Sequence, residues 1–190
     1  MADIPGLRYL ADYVDEAREQ ALTEVIDRQP WITELRRRVQ HYGYRYDYKG
    51  RKVTPEMYLG PLPDWAGALA EELRARGLMP RLADQLIVNE YEPGQGIAPH
   101  VDCVPCFADT IASLGLGSSC VMEFTHVQTR ERAGLFLPAR SLVVLSGEAR
   151  YDWRHAIPGR KSDPHEGRAV PRGRRVSLTF RNVLVERGSA

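Results

Sequence analysis

A histidine and an aspartate two residues apart are the first side chains in this sequence that could bind a metal ion together. They are His100 and Asp102, in the segment Pro99-His-Val-Asp102, where the pattern predicts the end of a β-strand. Side chains two residues apart on a strand point to the same side, so both would face one site. Such a pair is weak support by itself, because polar residues also end strands that bind nothing.

A metal site needs a further ligand, and the sequence has five histidines in all. His155 lies in a strand-like segment of the β-rich half, whereas His41 and His126 lack such surroundings and His165 falls in an irregular stretch. Two histidines and one carboxylate leave three octahedral positions open, as in non-haem Fe(II) oxygenases, which bind a bidentate co-substrate and O2 there. A structural zinc site would instead use four protein ligands. A buried core histidine and a general base remain the alternatives for His155.

Two arginines near the C-terminus could bind such a co-substrate. Arg175 and Arg181 are six residues apart on a strand pattern, and this even spacing places both guanidinium groups on one face. Arginine binds carboxylates through two parallel hydrogen bonds, and 2-oxoglutarate has a carboxylate at each end. Asn89 and Tyr91, also two apart on a predicted strand, could add an amide and a phenol donor. The alternative is that both arginines are ordinary surface residues.

The elements that must position these side chains fit a single globular domain. The chain has 190 residues, 43% hydrophobic and 27% charged, which excludes a disordered chain and a coiled coil. No apolar run approaches the length of a membrane span, and the N-terminal residues do not resemble an export signal. We therefore expect a monomeric cytoplasmic protein that contacts no membrane and keeps its three cysteines reduced.

Hydrophobic periodicity predicts a strand at residues 6–10 and helices over residues 15–28 and 63–76. Eight short strand patterns follow, at residues 85–91, 97–102, 110–116, 120–125, 134–137, 141–145, 153–157 and 174–184. Together they predict a mainly β fold with flanking α-helices and a jelly-roll, cupin-like core. Residues 158–173 are predicted to form an irregular surface loop.

Basic residues concentrate in two segments although the net charge is only +1. Residues 36–52 contain seven Lys or Arg, including Arg36, Arg37 and Arg38, and residues 150–190 contain ten. If the fold joins these segments, they form an electropositive face that suits a polyanion. The alternative is a solvated arginine-rich surface.

An aromatic stripe and a cysteine pair complete the unusual features. Residues 41–48 alternate four tyrosines, which predicts a β-ribbon with all four on one face: Tyr42, Tyr44, Tyr46 and Tyr48. The stripe could stack on nucleobases or pack on the core. Cys103 and Cys106 form a Cys-x-x-Cys pair without the second pair that a zinc site needs, so we interpret them as incidental thiols.

In combination, these motifs resemble the AlkB family of Fe(II)/2-oxoglutarate-dependent dioxygenases over most of the chain. The resemblance is carried by Asn89-Glu-Tyr-Glu-Pro-Gly-Gln-Gly-Ile-Ala-Pro-His-Val-Asp102, Ser113-Leu-Gly-Leu-Gly117, His155 and Arg175-x5-Arg181. Within that family, Ser146-Gly-Glu-Ala-Arg-Tyr-x-Trp153 and Arg175-Val-Ser-Leu-Thr-Phe-Arg181 are similar to the dioxygenase domains of animal tRNA-wobble-uridine hydroxylases.

The resemblance implies one dioxygenase domain over residues 1–190 with a double-stranded β-helix core at 81–190. Residues 1–80 would supply the N-terminal helices and a nucleotide-recognition lid. The implied iron ligands are His100, Asp102 and His155. The implied 2-oxoglutarate ligands are Asn89, Tyr91, Arg175 for the distal carboxylate, Arg181 for the proximal one, and Ser177, which replaces an Asn of the bacterial repair enzyme. The implied substrate contacts are Tyr42, Tyr44, Tyr46, Arg36, Arg37 and Arg38.

The resemblance also implies an enzyme in which Fe(II), 2-oxoglutarate and O2 oxidise a substrate C–H bond and release succinate and CO2. The first candidate reaction is oxidative demethylation of alkylated bases in DNA or RNA, with nucleic acid as the partner. One alternative is hydroxylation of a modified tRNA wobble uridine, and another is oxidation of a protein or small molecule. Val104 stands where the bacterial enzyme has an Asp associated with base preference, which leaves the base open.

Overall fold

Two antiparallel β-sheets form the centre of the protein in the computed structural model, which describes residues 3–185. In chain order the elements are β1 (Leu7–Leu10), α1 (Glu16–Asp27), β2 (Val39–Tyr42), a 3-10 turn (Pro55–Met57), α2 (Asp64–Ala75), β3 (Gln85–Tyr91), β4 (Ile97–His100), β5 (Ile111–Gly117), β6 (Cys120–His126), β7 (Arg132–Leu137), β8 (Leu142–Leu145), α3 (Gly147–Tyr151), β9 (Trp153–Ile157), β10 (Ser162–His165), β11 (Arg168–Pro171) and β12 (Arg175–Arg181). None of the helices within residues 3–185 has the length and hydrophobicity needed to cross a membrane.

The larger sheet has the strand order β1-β8-β5-β12-β3-β2, and the smaller sheet has the order β4-β9-β6-β7. Every pair of neighbouring strands is antiparallel. This double antiparallel sheet is the jelly-roll core that the sequence predicted. The first 42 residues contribute both edge strands of the larger sheet, β1 and β2.

The side chains of β12 point alternately into the hydrophobic core and into a cavity on the other face of the sheet. Every second residue packs against α1 and α2 in the main hydrophobic core: Val176, Leu178 and Phe180. The intervening residues are polar, buried, and line a cavity between the sheets: Arg175, Ser177, Thr179 and Arg181. Buried polar side chains of this kind require partners, so the inward face of β12 is suited to binding a polar molecule.

The two predicted helices are confirmed to within a residue or two at each end. Asp15 caps α1, where its carboxylate accepts a 2.7 Å hydrogen bond from the backbone N–H of Arg18. Leu69 and Leu73 bury the inner side of α2, and Gly77 follows it with a φ of 63°. A left-handed backbone of this kind favours glycine after a helix.

The prediction of an irregular loop at residues 158–173 is wrong. This segment contains the hairpin of β10 and β11. Its organising residue is the buried Asp163, whose carboxylate accepts hydrogen bonds from Arg160 at 2.8 Å and from Arg172 at 2.5 and 2.8 Å. The paired residues of β10 and β11 are at most nine positions apart in the sequence. The Gly- and Pro-rich composition of the segment nevertheless led to the prediction of a loop.

The predicted β-ribbon at residues 41–48 is also wrong, because β2 ends at Tyr42. Tyr42 packs edge-on against Trp65 at 5.4 Å between ring centroids, and Tyr44 is buried against Tyr58 at 5.0 Å. The four tyrosines therefore do not share a face. The turn begins at Gly43, whose φ of 75° brings its Cα against the carbonyl group of Asp84, where a Cβ would overlap.

The two basic segments are adjacent, since Glu90 pairs with Arg38 of the first and with Arg174 of the second. Further ion pairs join Arg172 to Asp163 and Arg174 to Asp27, and Arg175 is buried, with 5% exposure. Only part of the charge of the second segment is therefore available to an electropositive face. Residues 186–190 of this segment lie outside the described part of the chain.

The expectation that all cysteines are reduced is contradicted by a disulfide between Cys103 and Cys106. Both residues are buried under residues 43–52, and their sulfur atoms lie 3.3 and 3.5 Å from the carbonyl oxygen of Arg51. The pair is thus part of a small apolar cluster with Tyr44 and Phe107. Cys120 is a free, buried cysteine.

Candidate active site

The predicted metal-binding residues come together where the smaller sheet meets the loop after β4. His100 ends β4 and lies directly opposite His155 of β9, with 4.4 Å between the ring centroids. Asp102 follows two residues later, and its Oδ1 lies 3.4 Å from His100 Nε2. One ligand atom from each of the three residues lies within 4.8 Å of the other two. The fold thereby brings His100 and His155, which are 55 positions apart in the sequence, together with Asp102 in one possible coordination site.

The protonation of these residues suits a metal ion. His100 Nδ1 lies 2.8 Å from the carbonyl oxygen of Ala98, so Nδ1 donates a hydrogen bond and Nε2 keeps the lone pair. Burial lowers the pKa of His155 to about 4, so its ring is neutral at pH 7. Burial opposes the charge of Asp102, but the adjacent Arg181 guanidinium holds the pKa of this carboxyl group well below its usual range. The donor set is therefore Nε2 of His100, the neutral ring of His155 and the ionised carboxylate of Asp102.

Two arginines fix Asp102 in place. Arg181 Nε donates a 3.2 Å hydrogen bond to Asp102 Oδ2, which leaves Oδ1 toward the histidines. Arg150 of α3 is 2% exposed and donates a 3.0 Å hydrogen bond to the carbonyl oxygen of Asp102. It also donates to the carbonyl oxygens of Cys103 and Phe107, at 3.4 and 3.3 Å. The loop that carries the carboxylate is therefore held from inside the protein.

These residues fit a divalent metal of the Fe(II) class. The donor set of two histidines and one carboxylate leaves an octahedral ion with open positions. His100, Asp102 and His155 all line a cavity between the sheets, so those positions face space that a second molecule can enter. This inner cavity extends from the three ligands to the inward face of β12.

At the far end of the inner cavity lies a guanidinium group without an acidic partner. Arg175 Nη1 donates a 2.8 Å hydrogen bond to the carbonyl oxygen of Ser118, and its buried Nε has no hydrogen-bond partner among the described residues. The group lies against Gly115, where any Cβ would overlap it. A buried, unpaired charge is costly, so this arrangement indicates a binding site for a carboxylate. One end of 2-oxoglutarate fits it.

The side wall of the inner cavity supplies further polar groups. Asn89 and Tyr91 of β3 lie opposite Ser177 and Arg175 of β12, and all four line the cavity. Arg37 Nε donates a 2.9 Å hydrogen bond to Asn89 Oδ1, which leaves the amide N–H groups of Asn89 for the cavity. Burial raises the pKa of Tyr91 to about 12, so its phenol stays protonated and can donate. The inward face thus fits a dicarboxylate.

A second, outer cavity opens onto two of the three metal-binding residues. It shares His100, Asp102, Asn89 and Arg181 with the inner cavity. Its remaining side chains include aromatic and basic ones: Tyr46, Tyr48, Phe107, Arg37 and Arg51. Tyr46 and Tyr48 are edge-on at 5.0 Å, and the Arg37 guanidinium lies 5.6 Å from the centroid of Tyr48.

The residues proposed to contact substrate therefore divide into two groups. Tyr46 and Arg37 line the outer cavity, and Arg36 and Arg37 line a groove next to it. Tyr42 and Tyr44 line neither of these, since they pack in the core. The Arg38 guanidinium is bound by Glu90 through two hydrogen bonds and lies over Trp31.

Several residues of the site were not found from the sequence. Tyr48 and Arg51 line the outer cavity, although neither was among the proposed substrate contacts. Arg150 lies in the Ser146–Trp153 segment, but a lone arginine there carries no chemical signal. Gly115 lies in Ser113-Leu-Gly-Leu-Gly117, and its close approach to Arg175 appears only when β5 and β12 are paired.

The fold and the two cavities define a class of enzyme, and comparison with known proteins agrees. Residues 7–181 match the 2OG-Fe(II) oxygenase superfamily, so the chain belongs to this superfamily. Membership implies Fe(II), 2-oxoglutarate and O2, and the protein is a dioxygenase. A likeness to the solved structure of OsALKBH1, with a TM-score of 0.67 at 17% identity, supports the same fold and covers 94% of this chain and 97% of that one.

Within the superfamily the protein is of the AlkB type, as the sequence motifs predicted. It is 40% identical to the alkylated DNA repair protein ALKBH8 homolog of Arabidopsis thaliana, over 95% of this chain and 59% of that protein. It is 39% identical to tRNA (carboxymethyluridine(34)-5-O)-methyltransferase alkbh8 of Xenopus tropicalis, over 94% of this chain and 32% of that protein. The uncharacterized protein L905 of Acanthamoeba polyphaga mimivirus is 34% identical over 97% of this chain and 88% of its own length. The chain thus spans less than two thirds of the length of the Arabidopsis and Xenopus relatives.

Proposed function

We propose that this dioxygenase oxidises a base of DNA or RNA that enters the outer cavity out of the base stack. Oxidative demethylation of an alkylated base is the first candidate reaction. The observation that carries the proposal is the composition of the outer cavity, in which Tyr46 and Tyr48 lie beside Arg37 and Arg51 above the metal-binding residues. Enzymes that modify bases hold an extruded base between aromatic side chains, and arginines bind the phosphates beside it.

Most polar residues of the inner cavity have a role in this proposal. His100, Asp102 and His155 hold Fe(II), and Arg175 binds the distal carboxylate of 2-oxoglutarate. The other residues that complete this pocket are Asn89, Tyr91, Ser177 and Arg181. Bound there, the iron and 2-oxoglutarate supply, with O2, the oxidation of a substrate C–H bond and yield succinate and CO2. An oxidised N-methyl group leaves as formaldehyde, whereas an ordinary carbon keeps its new hydroxyl group.

The charge of the outer cavity limits which base fits. Its basic side chains are Arg37, Arg51 and Arg181, and its one carboxylate, Asp102, already accepts a hydrogen bond from Arg181. A base that becomes cationic on alkylation meets the like charges of Arg37 and Arg51 and no free carboxylate, which is unfavourable in a partly desolvated site. Bases that stay neutral when alkylated, or that carry an acidic substituent, are therefore the expected substrates.

Hydroxylation of a modified wobble uridine in tRNA is the second candidate. A uridine is neutral, so it meets the electrostatic requirement of the outer cavity. The Xenopus relative, 39% identical, is named for a tRNA carboxymethyluridine. Other relatives are named for demethylation, such as the DNA N6-methyl adenine demethylase of Caenorhabditis elegans at 26% identity. The names of the relatives thus support both reactions.

Nucleoside mass spectrometry distinguishes the candidates. The protein is incubated with Fe(II), 2-oxoglutarate and either total tRNA or methylated DNA, and formaldehyde is measured in parallel. Loss of a methylated nucleoside with release of formaldehyde supports demethylation, whereas a hydroxylated uridine without formaldehyde supports the second candidate. The His155→Ala variant serves as the control for metal-dependent chemistry. Unchanged nucleosides in every pool would contradict a nucleic-acid substrate.

A further inference from the structure

We infer that Arg37 is a positioning residue that joins the co-substrate pocket to the substrate cavity. Its guanidinium lines the outer cavity but not the inner one. Arg37 Nε donates a hydrogen bond to Asn89 Oδ1 at 2.9 Å, and the same guanidinium lies 5.6 Å from the centroid of the Tyr48 ring. One side chain thus contacts a wall of each cavity. The role at the outer cavity rests on the proposed function, whereas the role at the inner cavity does not.

The backbone around Arg37 is fixed at several points. Ile32 and Val39 exchange two hydrogen bonds, of 2.8 and 3.0 Å, and close residues 33–38 into a loop. The Arg38 carbonyl oxygen accepts a 3.0 Å hydrogen bond from Glu90 N–H, and the Arg36 carbonyl oxygen accepts a 2.9 Å hydrogen bond from the amide of Gln95. Arg37 lies between these anchors and is thereby directed toward Asn89.

Arg37 sets the direction of the Asn89 amide. Asn89 is 7% exposed, and its side chain can turn either its oxygen or its NH2 group toward the inner cavity. A guanidinium has only donors, so the bond from Arg37 requires the Asn89 oxygen and directs the NH2 group into the cavity. This is the orientation that an incoming carboxylate or keto oxygen needs, since the opposite one would place two acceptors together.

No ion pair of the described residues involves Arg37, in contrast to Arg38, which is bound by Glu90. The Arg37 charge therefore remains available to the outer cavity while Nε is committed to Asn89. A 2-oxoglutarate molecule that holds the Asn89 amide from one side also fixes Arg37, and with it the cationic edge beside Tyr48. Binding in the two cavities is expected to be cooperative through this one side chain.

The first experiment measures 2-oxoglutarate affinity by calorimetry on anaerobic, Mn(II)-loaded protein, so no turnover is needed. Arg37→Ala and Asn89→Ala are each expected to weaken binding about three- to tenfold, the contribution of one correctly oriented hydrogen bond. In the Asn89→Ala background, Arg37→Ala is expected to have no further effect. Arg45→Ala, which removes an equal charge from an exposed residue that lines neither cavity, is the control.

The Arg37→Gln variant separates orientation from charge. The Gln side-chain nitrogen is as many bonds from Cα as Arg Nε, so it can donate the same hydrogen bond to Asn89 without the charge. We expect Arg37→Gln to bind 2-oxoglutarate within about twofold of wild type, well above Arg37→Ala. If Arg37→Gln is as weak as Arg37→Ala, or if Arg37→Ala still weakens binding without Asn89, the charge acts directly and the inference is overturned.

The second experiment measures the binding of a short fluorescein-labelled oligo(dT) to the same Mn(II) protein with and without 2-oxoglutarate. Wild type is expected to bind the probe several-fold more tightly with 2-oxoglutarate, and Arg37→Ala is expected to show no such difference. If 2-oxoglutarate tightens probe binding by Arg37→Ala as much as by wild type, the proposed coupling between the two cavities is overturned. Failure of wild type to bind any probe would count against the proposed function, while the calorimetry would still decide the role of Arg37 toward Asn89.

Discussion

Substitution of Arg175 is expected to leave the stability of the fold nearly unchanged but to weaken the binding of 2-oxoglutarate strongly. Arg175→Met removes one hydrogen bond, to the carbonyl oxygen of Ser118, together with a buried charge that no described carboxylate neutralises. The lost hydrogen bond is worth about 1 kcal/mol, and relief of the unpaired charge offsets it. We therefore expect the free energy of unfolding of the variant to stay within about 1 kcal/mol of wild type in the absence of 2-oxoglutarate.

Binding of 2-oxoglutarate is expected to be much more sensitive to the same substitution. A charge-assisted hydrogen bond contributes roughly 1.5–3 kcal/mol, or about ten- to a hundredfold in Kd. With 2-oxoglutarate at about 100 times the wild-type Kd, the wild-type protein gains about 2.7 kcal/mol of stability. The variant gains about 1.4 kcal/mol for a tenfold loss of affinity and about 0.4 kcal/mol for a hundredfold loss.

Thermal unfolding of the anaerobic Mn(II) protein, with and without 2-oxoglutarate, measures both quantities. At about 2–4 °C per kcal/mol, the ligand-induced rise in Tm shrinks from about 5–11 °C to about 1–6 °C. Arg175→Lys keeps the charge but loses the planar fork, so its rise in Tm is expected to be intermediate. If 2-oxoglutarate raises the Tm of Arg175→Met as much as that of wild type, Arg175 does not bind the co-substrate. The nearby Arg172 and Arg174 could not easily replace it, because both are already ion-paired.

Three further substitutions test other parts of the site. His155→Ala is expected to abolish metal-dependent succinate formation. His165→Ala, which removes a ring stacked on Phe136, is expected to retain it, and equal loss in both variants would contradict the assignment. Gly115→Ala places a Cβ on the Arg175 guanidinium, so the Kd for 2-oxoglutarate is expected to rise about tenfold or more in calorimetry. Tyr48→Ala is expected to raise the KM for a nucleic-acid substrate about five- to a hundredfold by loss of base stacking, and an unchanged KM would exclude stacking on Tyr48.

The sequence predicted the parts of the site that depend on strand periodicity. The spacing of six puts Arg175 and Arg181 on one face of β12, whereas β4 ends at His100 and Asp102 lies in the loop that follows; the structure places all four along one cavity. The antiparallel register then brings His155 opposite His100. That pairing could not be derived from spacing, since it depends on the order of strands in the sheet.

The two wrong predictions of local structure have different physical causes. The tyrosine alternation at residues 41–48 is typical of a strand, yet only Tyr42 belongs to one, because the chain turns at Gly43 against the distant Asp84. Residues 158–173 have the composition of a loop, yet the buried Asp163 binds two arginines of the same segment and organises a hairpin there. In the first segment a distant partner determines the conformation, and in the second a buried ion-pair cluster does.

Pairing of the charges, rather than their number, distinguishes Arg37 and Arg175 from the arginines that follow or precede them in the chain. Twenty-six basic and 25 acidic residues give a net charge of +1, so the composition alone does not indicate an anion-binding site. The structure uses acids to bind the arginines that stabilise it, as Glu90 binds Arg38 and Arg174. Arg175 and Arg37 are held by a carbonyl oxygen and an amide oxygen instead, and neither bond neutralises their charge. Because both guanidinium groups line cavities that meet at His100 and Asp102, their uncompensated charge points to anionic ligands on each side of the metal-binding residues.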